Sequence, residues 1–415
     1  MAQKKICIVT PSYLTSSPRT VKEADALWQA GFDVRVVFSQ GSLEYVRGFD
    51  ALLLKEKPWR YSIIGWSSLR KKERMLYWKS RLHHYFARKF SFLGCLRLAA
   101  YAESRVYGEL ARVAAEEKAD LYIGHYPAGL VAADYAALRW KTKLGYDVED
   151  LHSEEQPAGR KGERQTERIK LIESHYLPHC SYISCVSELV ADEMVKRYNI
   201  NYPTVIHNVF PWSLRGRLDA KFQDRRGPSL SLYWYSQVIG EDRGIQDVIR
   251  AAGLLKEKVQ IHLRGYLSEE VKNKFLALAK ASSVEQSIHF HPVVSPSELL
   301  SRAVEHDVGL ALEPPVNLRR MLTASNKLFL YLLAGLAVIA TDTPGQKLVM
   351  STCPQAGFLY PSGDYRCLAG HLNKLLSEPG LIRSCKQAAL EAAEEQWNWE
   401  SESLRIIDNI RSFCF

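Results

Sequence analysis

Lys327 follows Asn326 at the head of an apolar run, residues 328–333, with Thr323 and Ser325 just upstream. Thr and Ser are favoured N-caps, because their side-chain oxygens accept from amides that a helix start leaves unpaired. Gly335 closes the run with the residue type that most readily takes a left-handed helix end. Residues 336–340 are short, apolar and partly β-branched, which reads as a buried parallel strand. Asp342-Thr343-Pro344-Gly345 then turns the chain away. A lysine at a helix N-terminus adds a full charge to the positive end of the macrodipole, so a phosphate-bearing ligand is the natural occupant. The same spacing also describes an ordinary helix–strand unit.

The elements that would position such a site alternate along the chain. Strands are predicted over residues 5–10, 33–38, 119–124, 144–148, 182–186 and 204–206. A second series follows over residues 230–235, 259–264, 287–290 and 307–312. Helical stretches separate them, as in a doubly wound sheet. At 415 residues the chain exceeds one ordinary core and suggests two domains. The expected division is an acceptor-side domain over 1–210, carrying a basic helical insertion at about 58–110. A charged, Gly- and Pro-punctuated linker over 211–229 leads to a second domain over 230–395, and a last helix over 396–415 returns to the first. No GxGxxG fingerprint follows the first strand, so a nicotinamide dehydrogenase is not supported. His125 follows the carboxyl end of the strand 119–124, and ligands of open α/β sheets bind beyond such ends. Ser16, Ser17 and Arg19 open the first helix, as N-capping residues or as ligand contacts.

Composition narrows the class. Apolar residues make up 47% and charged residues 24%, ordinary for a globular protein. No apolar run reaches the ~20 residues of a membrane span, and the chain enters a strand without a signal peptide, so a cytoplasmic location is expected. The eight cysteines are scattered without CxxC or Cys/His spacing, which points to reduced thiols and no metal site. Between Lys55 and Lys89 stand eleven Lys and Arg against Glu56 and Glu73, a difference of +9 that equals the formal charge of the whole chain. Trp59, Tyr61, Trp66, Tyr77, Trp78, Tyr85, Phe86 and Phe90 are interleaved with them. This mixture suits an anionic membrane surface or an anionic lipid-linked acceptor. A plain solvated helix face is the alternative; no nucleic-acid-binding motif accompanies the charge.

From Ser325, the segment SNKLFLYLLAGLAVIATDTPGQ resembles the nucleotide-sugar segment of glycosyltransferase family 4. Those retaining enzymes read as proline- or serine-Asn-Lys, Phe-Glu-Tyr, Ala-Gly and a strand closing in Asp-x-Pro-Gly. SSPRTVKEADALWQAGFDVRVV resembles the family's opening, whose first loop faces the acceptor. The loop Glu149 to Glu155 resembles its Asp-x-His-Glu region, which puts Glu149 and His152 on the acceptor side. The resemblance implies the GT-B fold: two Rossmann-like domains facing across a cleft, with the C-terminal helix crossing back. It implies that His125 approaches the transferred sugar. The positions that hold the donor diphosphate fall on Gln237 and Arg243, and Arg243 keeps the forked donor set that suits phosphate. Gly240, Arg264, Glu313, Ser325, Asn326, Lys327 and Leu330 complete the donor-binding set.

The chain departs from the family at Leu330 and Leu322, where two glutamates are usual; Glu313 is the expected substitute. The implied activity is retaining transfer of a sugar from a nucleoside diphosphate sugar to a glycan, lipid-linked or other hydroxyl acceptor, in cell-surface polysaccharide or glycolipid synthesis. His125, Arg243 and Lys327 would be the catalytic residues, and no metal is required. Peripheral attachment to the inner face of the membrane is an added expectation. The alternative is a sugar-nucleotide-binding or scaffolding protein of the same fold, and a GT-B epimerase would need carboxylates that are not evident.

Overall fold

The structure, a computed structural model, describes residues 3–154, 159–223 and 227–414. Glu155 of the acidic loop and residues 224–226 of the expected linker lie outside them. The chain divides into two compact units, Met1–Ile206 with Ser403–Phe415, and His207–Glu402.

The first unit is built on seven strands: β1 (Lys5–Thr10), β2 (Asp33–Gln40), β3 (Arg60–Gly65), β4 (Leu121–His125), β5 (Lys143–Val148), β6 (Tyr182–Cys185) and β7 (Thr204–Val205). Their order is β3-β2-β1-β4-β5-β6-β7, with every described pairing parallel. Ile6 of β1 is in register with Val34 on one side and Leu121 on the other. Central strands read as continuous apolar runs because helices cover both faces, and Ile6, Ile8 and Val9 are accordingly buried. β3 falls inside the segment expected to be a helical insertion. Its sequence, RYSIIG, leaves only Ile64 buried, so an edge strand carried too little apolar signal to be read among basic residues. The long basic helix begins later, over Lys71–Phe90.

The second unit repeats the plan with β8 (Ser231–Val238), β9 (Gln260–Tyr266), β10 (Ile288–His291), β11 (Val308–Ala311), β12 (Ala337–Thr341) and β13 (Gly357–Tyr360). The order is β10-β9-β8-β11-β12-β13, again parallel throughout. β13 was not anticipated from sequence. Pro344 and Gly345, expected as a loop, instead open the helix Pro344–Thr352, since proline at the first helical position gives up an amide that would be unpaired anyway. Within the segment expected as a linker, Trp212–Arg217 forms a 3-10 helix, and Arg215 Nη1 donates to the Leu333 carbonyl at 2.6 Å. The last helix, Trp399–Cys414, belongs to the first unit from Ser403 onward, where Arg411 Nη2 donates to the Ala30 carbonyl at 3.2 Å.

The helix Asn326–Ala334 behaves as its residues suggest. Ser325 caps it, its Oγ accepting from the Lys327 amide at 3.3 Å. Gly335 stops it at φ +68°, and β12 follows at once. Thr323, the other candidate cap, instead follows the short helix Leu318–Leu322, its hydroxyl donating to the Arg319 carbonyl at 2.9 Å. Gly335→Ala would place a Cβ 2.8 Å from Leu390 Cγ in a left-handed backbone. The substitution is expected to destabilise the second unit by about 1–2 kcal/mol or more, read from denaturant unfolding. A change below the error of that measurement would refute the role given to this stop.

Candidate functional site

In each sheet one strand has neighbours that lead away in opposite directions. In the first unit it is β1, between β2 and β4; in the second it is β8, between β9 and β11. The crevice beyond the carboxyl ends at such a reversal is where open α/β sheets bind ligands.

In the second unit the β8 end leads through Gln237 and Gly240 to Arg243 and Gly244, and the β11 end leads to Glu313. Gly244, at φ +74°, passes so close to the β11 exit that a Cβ would meet the Leu312 carbonyl oxygen at 2.2 Å. Lys327 reaches from its helix start into this corner. Its Nζ pairs with Glu313 Oε1 and lies 5.3 Å from the centre of the buried Trp234 ring. The second Glu313 oxygen, Oε2, is buried and accepts no hydrogen bond from the described residues. The strand ends around it are fixed: Thr341 Oγ1 donates to the Glu313 carbonyl at 2.7 Å, and Gln346 Nε2 bridges the Ala311 and Thr341 carbonyls at 3.2 and 2.9 Å.

The facing loops are tied by a further arginine. Arg320 donates from Nη1 to the Asp242 carbonyl and from Nη2 to Asp242 Oδ2, both at 2.7 Å. Arg243 Nε lies 3.5 Å from the other Asp242 oxygen. Burial works against the Asp242 charge, but the Arg320 hydrogen bond and the charges of Arg243 and Arg320 hold its carboxyl below the usual range. The approach of Gly244 to Leu312 brings the Arg243 loop against the β11 exit, so two paired groups stand at these strand ends, Lys327 with Glu313 and Arg243 and Arg320 with Asp242. Asn326 and Gln237 are exposed beside them.

Two expected donor contacts do not join the group. Arg264 is buried at 3% exposure, donating to the Tyr233 hydroxyl at 3.1 Å and the Pro292 carbonyl at 2.7 Å. Burial, aided by Arg302, brings its pKa down to about 10. Leu330 is 1% exposed, packed into the core on the helix Asn326–Ala334.

In the first unit, Arg19 is a core residue, with Nε and Nη2 on the two Asp147 oxygens at 2.6 and 2.7 Å and Nη1 on the Ile206 carbonyl at 2.6 Å. Ser184 Oγ donates to Asp147 Oδ1 at 2.5 Å. His125, fully buried, has Nε2 2.7 Å from Glu23 Oε2 and Nδ1 3.5 Å from Asp147 Oδ2. Burial opposes its charge, yet the Glu23 hydrogen bond and the charges of Glu23, Asp147 and Glu149 outweigh that and lift its pKa above the ordinary 6.5. When protonated, His125 joins Arg19 as a second cation facing the carboxylates of Asp147 and Glu23, so that the buried charges are paired. Burial pushes the Glu149 carboxyl above the usual range, against the pull of His125, and Asp147 adds to the rise. Glu149 Oε2 accepts nothing from the described residues.

Immediately after His125, Tyr126 holds φ +61°, a left-handed value that costs a non-glycine residue about 1–3 kcal/mol and marks functional turns. Its hydroxyl lies 3.0 Å from Ser17 Oγ and its ring centre 5.1 Å from that of His152. Ser17 occupies the N-cap position without a capping side-chain bond, and Ser16 is exposed next to it. Ser17, Tyr126 and His152 therefore meet over the Arg19–Asp147–His125–Glu23 network.

Sequence reasoning missed Glu23, Asp147, Trp234, Asp242 and Arg320. Glu23 had a usable signal: it stands one turn after Arg19 on the helix face that also carries the buried Leu27, so two charges sit at core positions. Arg320 lay in view within NLRR, but nothing local tied it to Asp242.

No protein-family model matches the sequence, and no curated protein matches it either. Solved structures do, along their whole length. The Anabaena protein Alr3699/HepE in complex with UDP is 12% identical, with 99% of this chain and 100% of that one covered and a TM-score of 0.69. Sucrose-phosphate synthase (tll1590) from Thermosynechococcus elongatus is 14% identical over 99% of each chain, TM-score 0.68. The apo form of the lipopolysaccharide outer core galactosyltransferase WaaB is 14% identical over 98% of this chain and 99% of that one, TM-score 0.62. At such identities the likeness is one of fold, and with two doubly wound parallel sheets the fold is GT-B.

Glu23→Gln keeps the shape of the network but removes a charge from it. It is expected to lower the His125 pKa, read by NMR of the imidazole. Because folding raises that pKa, the charged ring stabilises the unit fully below pH 6.5 and loses that contribution as pH rises through the folded value. The stability penalty of Glu23→Gln should therefore be largest near pH 6 and shrink toward alkaline pH; a penalty flat with pH would contradict the ion pair.

Proposed function

We propose that this protein is a glycosyltransferase that moves a sugar from a nucleoside diphosphate sugar to a hydroxyl acceptor. The observation that carries the reading is that Lys327, on Glu313, and Arg243 with Arg320, on Asp242, stand on segments that follow the carboxyl ends of adjacent strands of the second sheet. Their ammonium and guanidinium donors suit a diphosphate, since forked arginines fit phosphate oxygens. Support by analogy comes from Alr3699/HepE, a protein of this fold seen with UDP and with UDP-glucose. The family 4 resemblance of the segment 325–346 points the same way.

Transfer makes two demands, a leaving diphosphate and a sugar carbon that becomes cationic. Lys327 and Arg243 stabilise the first, supplying positive charge where a metal would otherwise be needed. The acceptor hydroxyl attacks the anomeric carbon from the face that the phosphate leaves. The bond from that carbon to the β-phosphate oxygen breaks, and the acceptor's proton passes to the departing phosphate. Configuration is retained and the products are the glycoside and a nucleoside diphosphate. No side-chain general base is called for. Glu313 Oε2 is the acceptor poised for a donor hydroxyl, in place of the glutamate that Leu330 replaces. In the first unit, Ser16, Glu149, His152 and Tyr126 form the acceptor side. His125 acts there as a positioning residue: its ring nitrogens face Glu23 and Asp147, and it fixes the start of the Tyr126 turn.

A second reading is favoured by Leu330 and Leu322. With apolar side chains at both positions, the fold could bind a sugar nucleotide without transferring it. Slow hydrolysis of a panel of nucleotide sugars separates the two, since only a transferase turns the donor over.

Arg243→Ala and Lys327→Ala are each expected to weaken nucleotide-sugar binding by about 10- to 150-fold, the equivalent of a charge-assisted hydrogen bond of about 1.5–3 kcal/mol. Isothermal calorimetry reads this, with melting curves to show that the fold survives. Wild-type affinity in both variants would refute the diphosphate site.

His125→Ala is expected to lower turnover well beyond its effect on donor affinity, and chelators are expected to leave turnover unchanged. Equal turnover in the variant would leave His125 a purely structural residue.

A further inference from the structure

The helix Lys71–Phe90 buries little of itself. Only Ser80 and Ala87, seven residues apart, are fully buried, and they mark the face that packs inward. On the opposite side stand Met75, Trp78, Leu82, Tyr85 and Phe86, with Phe90 at the helix end beside them, each exposed by between 38% (Phe90) and 82% (Met75). At 3.6 residues per turn, the first five fall within about 60° of a single direction. Phe92 and Leu93 extend the apolar surface into the next turn, at 70% and 63% exposure. Phe86, Phe90 and Phe92 are in ring contact with one another in sequence. Large apolar patches of this kind mark interaction surfaces.

The outward charges of the helix itself are of one sign, with Lys79 paired at 3.2 Å to Glu109 of a neighbouring helix. Lys71, Lys72, Arg74, Lys79, Arg81, Arg88 and Lys89 flank it or stand at its ends. The helix has one acidic residue, Glu73, and it faces inward. Its oxygens take Arg47 Nη1 at 2.9 Å and Nη2 at 2.5 Å, and Arg47 also holds the Gly41 and Gln40 carbonyls. No carboxylate of this helix therefore dilutes the outer charge. Long basic stems can lie along the apolar stripe while their heads reach outward, and Lys89 Nζ already sits 5.8 Å from the Phe90 ring centre.

We infer that this helix docks the protein on an anionic phospholipid bilayer, lying in the plane of the interface. Trp78, Leu82, Tyr85 and Phe86 enter the headgroup boundary, and the flanking Lys and Arg pair with lipid phosphates. A bilayer fits better than a protein partner because the stripe is convex, aromatic and flanked by cations on both sides, which is the pattern of an interfacial helix. No helix among the described residues is long and apolar enough to cross a membrane, so the contact is peripheral. The inference stands apart from the donor chemistry, since none of these residues belongs to the corner at Lys327.

Sedimentation of the full chain with vesicles tests it. Vesicles containing phosphatidylglycerol should carry the protein down at low salt and pure phosphatidylcholine vesicles should not. Raising salt from 0.1 M to 1 M, which shortens the Debye length from about 10 Å to about 3 Å, should release it. Combined Trp78→Ser, Leu82→Ser and Phe86→Ser should weaken binding at least about tenfold, as should combined Lys71→Glu, Lys72→Glu, Arg88→Glu and Lys89→Glu. UDP-glucose affinity and melting temperature, measured on the same variants, should not change. Brominated lipid should quench tryptophan fluorescence more in the wild type than in Trp78→Phe. Absence of binding to phosphatidylglycerol at low salt, equal binding to both vesicle types, or equal quenching would overturn the inference. So would a dimer in light scattering that the triple serine variant dissolves, which would assign the stripe to a second copy of the chain.

Discussion

The proposed donor site depends on a lysine ammonium held between the Glu313 carboxylate and the face of Trp234. Each part depends on the sheet. Trp234 lies in β8, Glu313 follows β11, and these strands are neighbours only because the strand order reverses between them. Lys327 is aimed into the corner by a helix whose start is set by Ser325 and whose stop is set by Gly335. Moving any of these elements would leave a nearly buried charge without its partner, which is costlier than never having placed it there. The ammonium is thus fixed in place before any ligand arrives, which is what the proposed phosphate site requires.

The first unit solves the related problem with a closed network. Arg19, Asp147, His125 and Glu23 come from one helix and two adjacent strands, and each charge is satisfied by another. Such a network is rigid, which suits it to hold Tyr126 in a left-handed turn and to present Ser17 and His152 beside it. Glu149 differs from its neighbours: burial favours its protonated form, and one oxygen is left without a bond from the described residues. In the proposed acceptor side it is the carboxyl that would meet a hydroxyl.

Much of this was legible in the residues. Short apolar runs bounded by Gly and polar clusters gave most central strands, because a strand covered on both faces leaves little room for anything else. The Ser325 cap and the Gly335 stop were readable because they act within a few residues. β3 was hidden because an edge strand with a single buried residue, Ile64, looks like its basic surroundings. The pairing of Arg19 with Asp147 spans 128 positions and that of Glu23 with His125 spans 102, so only the fold could reveal them. Arg264 misled for the opposite reason. Its place near a strand end suggested the binding edge, but side chains alternate along a strand and this one points to the interior, onto Tyr233.

The account rests on where the diphosphate lies, and a structure of the protein with a bound nucleoside diphosphate measures that directly. The β-phosphate should lie within hydrogen-bond reach, about 3 Å, of Lys327 Nζ and of the Arg243 guanidinium. A diphosphate held elsewhere on the second unit, with the Lys327–Glu313 pair undisturbed and distant from it, would contradict the central claim.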